Sequence, residues 1–375
     1  MLIKNIFERY IYPTAILSGS IIGVGIFSLP YIASQAGIWL MLFYLVVLSA
    51  IVAAINSIVG QIALKTPDFK RLPGFAGFHL GKWAEALSLA TAALGGFGIL
   101  LVYLIVGGDF LLNALSPIFG GNYLTYALIY FFAALIFIYF DIKAIAKVEL
   151  LALISLVFIL ILIFIKGFSN WSLENIFAGN SALDIKNIFL PYGAIMFSLW
   201  GIGMIPEAEE MVRDDKKDIK KIIVISVLIP AVIYFLFVLL VLGITGSQTT
   251  DSALTGLKNV LGGWIFSFCL FVGAVITFNG FLSLAIILKK VFMYDIGIKK
   301  SHSIIIVCCL PLILFLLGLR SFVPIISFIG GVFIGIEGIL ILLMYKKIKG
   351  KNIIIYPLSL VFILGIIYQL IYFIR

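Results

Sequence analysis

Histidine is almost missing from this chain: His79 and His302 are the two in 375 residues, and charged residues amount to 11%. A soluble domain is roughly a quarter charged, so the shortage of charge excludes one. Both histidines fall in polar connections between apolar runs. That leaves no imidazole at membrane depth for acid–base chemistry and argues against a membrane hydrolase. Cysteine is sparse too. Cys269, Cys308 and Cys309 lie inside apolar runs with no C-x-x-C or Cys/His spacing, and a vicinal pair is poorly placed for a disulfide. They read as packing residues, and no metal site is expected. No G-x-x-x-x-G-K-[ST] occurs, which argues against an ATP-driven pump. The opening MLIKNIFERY holds no short apolar region ending in a small-residue cleavage site, so the first apolar run is expected to stay in the mature protein.

Apolar residues fill the space that charge leaves. The chain is 63% hydrophobic, with a mean hydropathy of +1.24. Eleven runs reach the ~20 residues an α-helix needs to cross a bilayer: 10–36, 38–64, 84–115, 122–140, 145–168, 188–211, 221–246, 262–292, 303–319, 322–345 and 353–374. Barrel strands would be shorter and alternate in polarity. The expected fold is therefore an all-α integral membrane protein, one transmembrane domain over 1–375.

The net charge of +9 is explained by topology. With the N-terminus in the cytoplasm, 21 of the 26 lysines and arginines fall in cytoplasmic segments, and Lys166, Lys186, Lys258, Arg320 and Arg375 fall outside. This positive-inside bias places the C-terminus outside and removes the need for a nucleic acid partner. The bilayer itself is the expected environment.

The stretch GSIIGVGIFSLP, residues 19–30, sets three glycines and a proline inside a membrane span. Gly19 and Gly23 alone would suit close helix packing. Gly23-Val24-Gly25 followed by Pro30 suits an interruption, and irregular backbone at that depth occurs only where it is buried or lines a cavity. The sixth run repeats the device in YGAIMFSLWGIGMIPEAEE, with Gly201-Ile202-Gly203 and Pro206. Five runs precede this second interruption, so two five-span units, about 10–168 and 188–345, would enter the membrane from opposite sides as an inverted repeat, with 353–374 as an extra helix.

Paired broken helices present unpaired N–H groups and carbonyls near the midplane, a site suited to a zwitterion. The amides around Val24, Gly25 and Ile26, beside Gly23, are expected to take a carboxylate. Carbonyls near Ser20, Ile22, Phe197 and Ser198 are expected to take an ammonium. An α-amino acid fits both.

GSIIGVGIFSLP resembles the first-helix motif of the amino acid/polyamine/organocation superfamily, Gly-x-x-Ile-Gly-x-Gly-Ile-Phe-x-x-Pro. AEEMVRDDKKDIKKIIVISVLIP, residues 208–230, is similar to that superfamily's stretch after the sixth helix. The resemblance implies a leucine-transporter-like bundle with alternating access to a central amino acid site. It also implies an aromatic gate at Phe197, with Trp200 next and Gly201 at the break; the alternative is that both aromatics only pack.

Uphill transport needs a coupling ion, and ionisable residues inside the membrane are where to look. Glu337, in GVFIGIEGIL, is the favoured proton carrier, and Asp109, in LIVGGDFLLN, is the second. Asp109 lies near its helix end, where capping or a bond to Asn113 is the competing role. Some members of the superfamily carry a lysine in the fifth helix; here none lies between Lys147 and Lys166. Sodium-coupled relatives place small and hydroxyl residues in the eighth helix. Ala274 and Thr277 in GAVITFNG match that spacing, while Phe278 departs from it.

Glu207, Glu209 and Glu210, beside Arg213, Lys216 and Lys217, read as a solvated helix end, and residues 66–83 as a cytoplasmic connection. A pocket of Gly, Ile, Val, Phe and Trp with Ser20 and Ser198 predicts a neutral substrate, hydrophobic or aromatic. The expectation is a proton-coupled secondary transporter without cofactor, for which a monomer suffices. A sodium symporter and a non-transporting amino acid sensor of the same fold are the alternatives.

Overall fold

Helices that are apolar on every side satisfy their backbone internally and leave side chains to meet lipid or one another. The computed structural model describes residues 10–67, 71–140, 145–178, 187–206, 219–295 and 297–374, which are helical with no strand among them. In order they form α1 (Tyr12–Ile21), a 3-10 turn (Val24–Ser28), α2 (Leu29–Ala36), α3 (Ile38–Lys65), α4 (Leu72–Leu80), α5 (Lys82–Phe119), α6 (Tyr123–Tyr139), α7 (Ile145–Gly167) and α8 (Leu173–Phe177). Then come α9 (Leu190–Leu199) with a following turn (Ile202–Met204), α10 (Ile219–Thr245), α11 (Lys258–Leu261), α12 (Gly263–Lys290), α13 (Lys300–Leu316), α14 (Phe322–Phe328), a π turn (Ile329–Phe333), α15 (Ile334–Lys347) and α16 (Asn352–Ile374).

Among the described residues six helical segments are long and apolar enough to cross a membrane: 38–65, 82–119, 219–248, 263–293, 322–347 and 352–374. The α1 helix and Val24–Ala36 form a further pair bent by 49°, and α6, Ile154–Asn170, Leu190–Met204 and α13 are shorter apolar helices. Large apolar side chains such as Trp39, Phe43 and Trp264 stay exposed on the outside of the bundle. The α16 helix is the most peripheral of the six, with 22% of its apolar window buried.

Three features depart from the sequence expectation. Residues 66–83 are more than a connection, because α4 forms there and docks on α5 and α15. His79 Nε2 lies 2.9 Å from Thr66 Oγ1, tying α4 back to the end of α3. The α5 helix runs 38 residues with Pro117 in its last turn, about 57 Å at 1.5 Å per residue, well beyond the hydrocarbon. The run 322–345 is divided by the π turn between α14 and α15. The acidic group Glu207, Glu209 and Glu210 with Arg213, Lys216 and Lys217, and also Lys186 and Arg375, lie outside the described residues.

The centre of the bundle depends on missing side chains. A Cβ on Gly193 of α9 would collide with the Ser327 carbonyl of α14, and a Cβ on Gly330 with the Gly193 carbonyl. Backbone therefore meets backbone where α9 crosses α14 and the π turn, and no rotamer can relieve an added atom there. Gly193→Val is expected to destabilise the fold by about 3 kcal/mol, the upper part of the overpacking range. Thermal unfolding of the purified protein checks this against Gly263→Ala, whose Cβ meets nothing within 4 Å.

Candidate functional site

Both interrupted helices break one residue before a Gly-x-Gly. The α1 helix ends at Ile21; Ile22 (φ −76°, ψ 95°) and Gly23 (φ −119°, ψ −157°) are extended, and the 3-10 turn follows. The α9 helix ends at Leu199, with Trp200 (φ −73°, ψ 111°) and Gly201 (φ −131°, ψ 24°) leading into the turn Ile202–Met204. Gly23 and Gly201 both have negative φ, a region open to any residue. What the breaks need from glycine is the absent side chain. A Cβ on Gly25 would collide with Ser198 Oγ, and a Cβ on Gly201 with the Ile21 side chain. Each break is thus pressed against the other.

Ending a helix frees its last carbonyls. Tyr234 of α10, fully buried, lies with its hydroxyl 3.0 Å from the Ile21 carbonyl and 2.8 Å from the Ser198 carbonyl. One phenol proton is shared between the ends of the two broken helices.

The breaks line a cavity of about 370 Å³. Of the residues named from the sequence, Ser20, Ile22, Gly23, Val24, Gly25, Phe197, Ser198, Trp200 and Gly201 line it; Ile26 is buried behind it. Ser20 Oγ donates to the Leu17 carbonyl at 2.8 Å and Ser198 Oγ to the Ala194 carbonyl at 2.7 Å. Their protons are used, so towards a guest these hydroxyls act as acceptors. Glu337 lines the same cavity and accepts a hydrogen bond from Trp200 Nε1 at 3.0 Å. A carboxylate of α15 is thereby fastened to the first residue after α9.

The other coupling candidates lie elsewhere. Asp109 accepts from Asn113 Nδ2 at 3.0 Å and Ser252 Oγ at 3.3 Å, and does not line the cavity. Thr277 Oγ1 donates to the Ala274 carbonyl at 2.9 Å; both residues are buried off the cavity wall. Phe278 packs edge-on against Tyr130 and Phe137, with ring centroids 5.3 and 5.6 Å away. Sequence reasoning passed over Tyr103, Tyr234, Asn279 and Ser283. Three of these, Tyr103, Asn279 and Ser283, line the cavity. A Cβ on Gly23 would lie 2.9 Å from Tyr103 Oη, which puts that phenol at the α1 break.

The cavity reaches Arg71 and Leu72 at the α4 end of the bundle. At its other side Phe27, after the α1 break, is fully buried between Phe110 and Phe237, with edge-on ring contacts of 5.0 and 6.2 Å.

Residues 11–370 match the model of a family described as transmembrane amino acid transporter protein. The chain belongs to that family. Its members are membrane transporters rather than enzymes, and the transporter is accordingly a multi-pass membrane protein. No curated protein sequence matches it. Solved structures share its fold. MhsT, in complex with L-phenylalanine, superposes with a TM-score of 0.65 at 16% identity over 97% of this chain and 98% of that one. Mhp1, a nucleobase-cation-symport-1 family transporter in a closed conformation with bromovinylhydantoin bound, gives 0.66 at 14% identity, covering 97% and 92%. Both have the leucine-transporter-like fold that the sequence motifs imply.

Tyr234→Phe leaves the Ile21 and Ser198 carbonyls without their shared donor. A loss of about 1–3 kcal/mol is expected, read as a lower midpoint of thermal unfolding in the purified transporter.

Proposed function

We propose that this transporter is a secondary active carrier of a small neutral α-amino acid, working by alternating access and driven by proton symport. The observation that carries the reading is the Glu337–Trp200 bond, which joins the one acidic side chain lining the cavity among the described residues to the α9 break. Protonation of Glu337 would replace a charge-assisted bond by a weaker neutral one. Proton binding would in this way loosen a break that also helps to form the substrate site.

In this reading the substrate carboxylate meets the amides at Val24, Gly25 and Ile26, where the turn after the α1 break presents unpaired N–H groups. The ammonium meets carbonyls at Ser20, Ile22 and Phe197 and the remaining lone pairs at Ser198. Phe197 and Trp200 close over it. The eleven apolar runs form two inverted five-span units, 10–168 and 188–345, with 353–374 outside them. The charge bias makes the α4 end cytoplasmic, so the cavity faces inward, with the N-terminus in the cytoplasm and the C-terminus outside. Sodium coupling has less support, because Ala274 and Thr277 lie off the cavity wall and Phe278 beside them brings a ring instead of a second hydroxyl.

Uptake of labelled neutral amino acids into proteoliposomes tests this under an inward proton gradient, an inward sodium gradient or none. Accumulation is expected with the proton gradient alone. Ligand-dependent thermal stabilisation without flux under any gradient would make the protein a sensor. Glu337→Gln is expected to keep substrate exchange and lose proton-driven accumulation; an unchanged pH response would move coupling elsewhere. Gly25→Val is expected to lower substrate affinity at least about 100-fold, since its side chain would displace Phe197 and Ser198 of the α9 break. Wild-type binding in that variant would remove the α1 break from the site.

A further inference from the structure

We infer that Asn279 and Ser283 form a subsite for a polar, uncharged substrate side chain, so that the selected amino acid is of the threonine or asparagine kind. This rests on the reading of the cavity as an amino acid site and replaces the hydrophobic or aromatic side chain expected from the sequence. The cavity face of α12 carries Ile276, Asn279, Gly280, Ser283, Leu284 and Ile287, the i, i+3, i+4 pattern of one helix face. Asn279 and Ser283 stand one turn apart on it and are its polar pair.

A polar side chain at this depth is costly unless it is hydrogen-bonded. Ser88 and Ser327, off the cavity wall, do not meet that need; other serines meet it within their own helices, Ser57 donating to the Ala53 carbonyl, Ser198 to Ala194 and Ser226 to Ile222, each at 2.7 Å. Ser283 does not. Its Oγ is buried on the cavity wall with no partner among the described residues. Asn279, 9% exposed, adds an amide with two donor hydrogens and acceptor lone pairs.

The pair adjoins the proposed backbone-binding groups through Tyr103. A Cβ on Gly280 would lie 2.5 Å from Tyr103 Oη, the same oxygen that lies 2.9 Å from a Cβ on Gly23. A substrate whose carboxylate sits at the α1 break therefore has Asn279 and Ser283 on its α12 side. An amide and a hydroxyl both donate and accept, which matches a hydroxyl or carboxamide side chain. They bring no charge to balance a cationic or anionic one, and an aliphatic side chain would leave both unpaired.

Isosteric ligand pairs isolate the effect: threonine against valine, and asparagine against leucine, with affinities measured calorimetrically on the purified full chain. Threonine and asparagine are expected to bind about tenfold or more tighter than their isosteres. Asn279→Leu is expected to reduce each ratio to about threefold or less while valine and leucine still bind. Ser283→Ala is expected to reduce the ratios in the same direction, which guards against misfolding of the first variant. Equal wild-type affinities within each pair would overturn the subsite and leave an amino acid transporter standing, as would variants that keep the full ratios. Failure of all four ligands to bind would overturn the subsite, and failure of every proteinogenic amino acid would overturn the cavity reading with it.

Discussion

A backbone carbonyl released inside hydrocarbon must find a donor, and here two are released side by side. The Tyr234 hydroxyl answers both, sitting 3.0 Å from Ile21 and 2.8 Å from Ser198. Without it, breaking α1 and α9 at the same depth would leave paired acceptors facing an apolar interior, at a cost that helix packing would have to offset. Because one proton lies between two acceptors, the phenol also couples the two helix ends: strengthening its bond to one weakens its bond to the other. The interruptions are therefore a single structural unit contributed by three helices.

That unit explains why the cavity is where it is. Gly25 and Gly201 bring each break into the space a side chain would fill on the other, so the segments interlock instead of merely passing. The remaining volume is bounded by backbone on one side and by the smooth wall of α5 and α12 on the other. Into this mostly apolar space the fold admits few polar groups. Among them are two serines with their protons already engaged, the Thr91 hydroxyl, the Tyr103 phenol, the α12 amide and hydroxyl, Arg71 at the α4 end, and one carboxylate held by an indole. In the proposed reading, backbone at the two breaks recognises the α-carboxylate and ammonium that amino acids share.

Much of this was legible in the sequence because hydrocarbon leaves few solutions. Long apolar runs announce helices, and glycine with proline inside a run announces a break. The residues that complete the site were harder to see. Tyr103 and Tyr234 are two of 16 tyrosines, each in an apolar run with no spacing to distinguish it. Asn279 stands inside GAVITFNG, a stretch read for Ala274 and Thr277, and only helix rotation shows that position 279 faces the cavity while 277 does not. Asp109 and Glu337 look alike as lone carboxyls in apolar runs. Tertiary packing alone separates one bonded to Asn113 and Ser252 from one bonded to Trp200.

The π turn at Ile329–Phe333 sets the direction in which Glu337 points. A turn of this kind holds one residue more than an α-helical turn, which rotates everything after it by about 100°. Rewinding the same residues as regular α-helix would carry Ile336 into the position of Glu337 and Glu337 into that of Gly338, which is absent from the cavity wall and where a side chain meets the Phe362 ring. The azimuth of the acidic group thus belongs to a local irregularity several residues away. A homologue that keeps the glutamate but has a regular helix at this point would carry the same residue and lack its contact with the cavity.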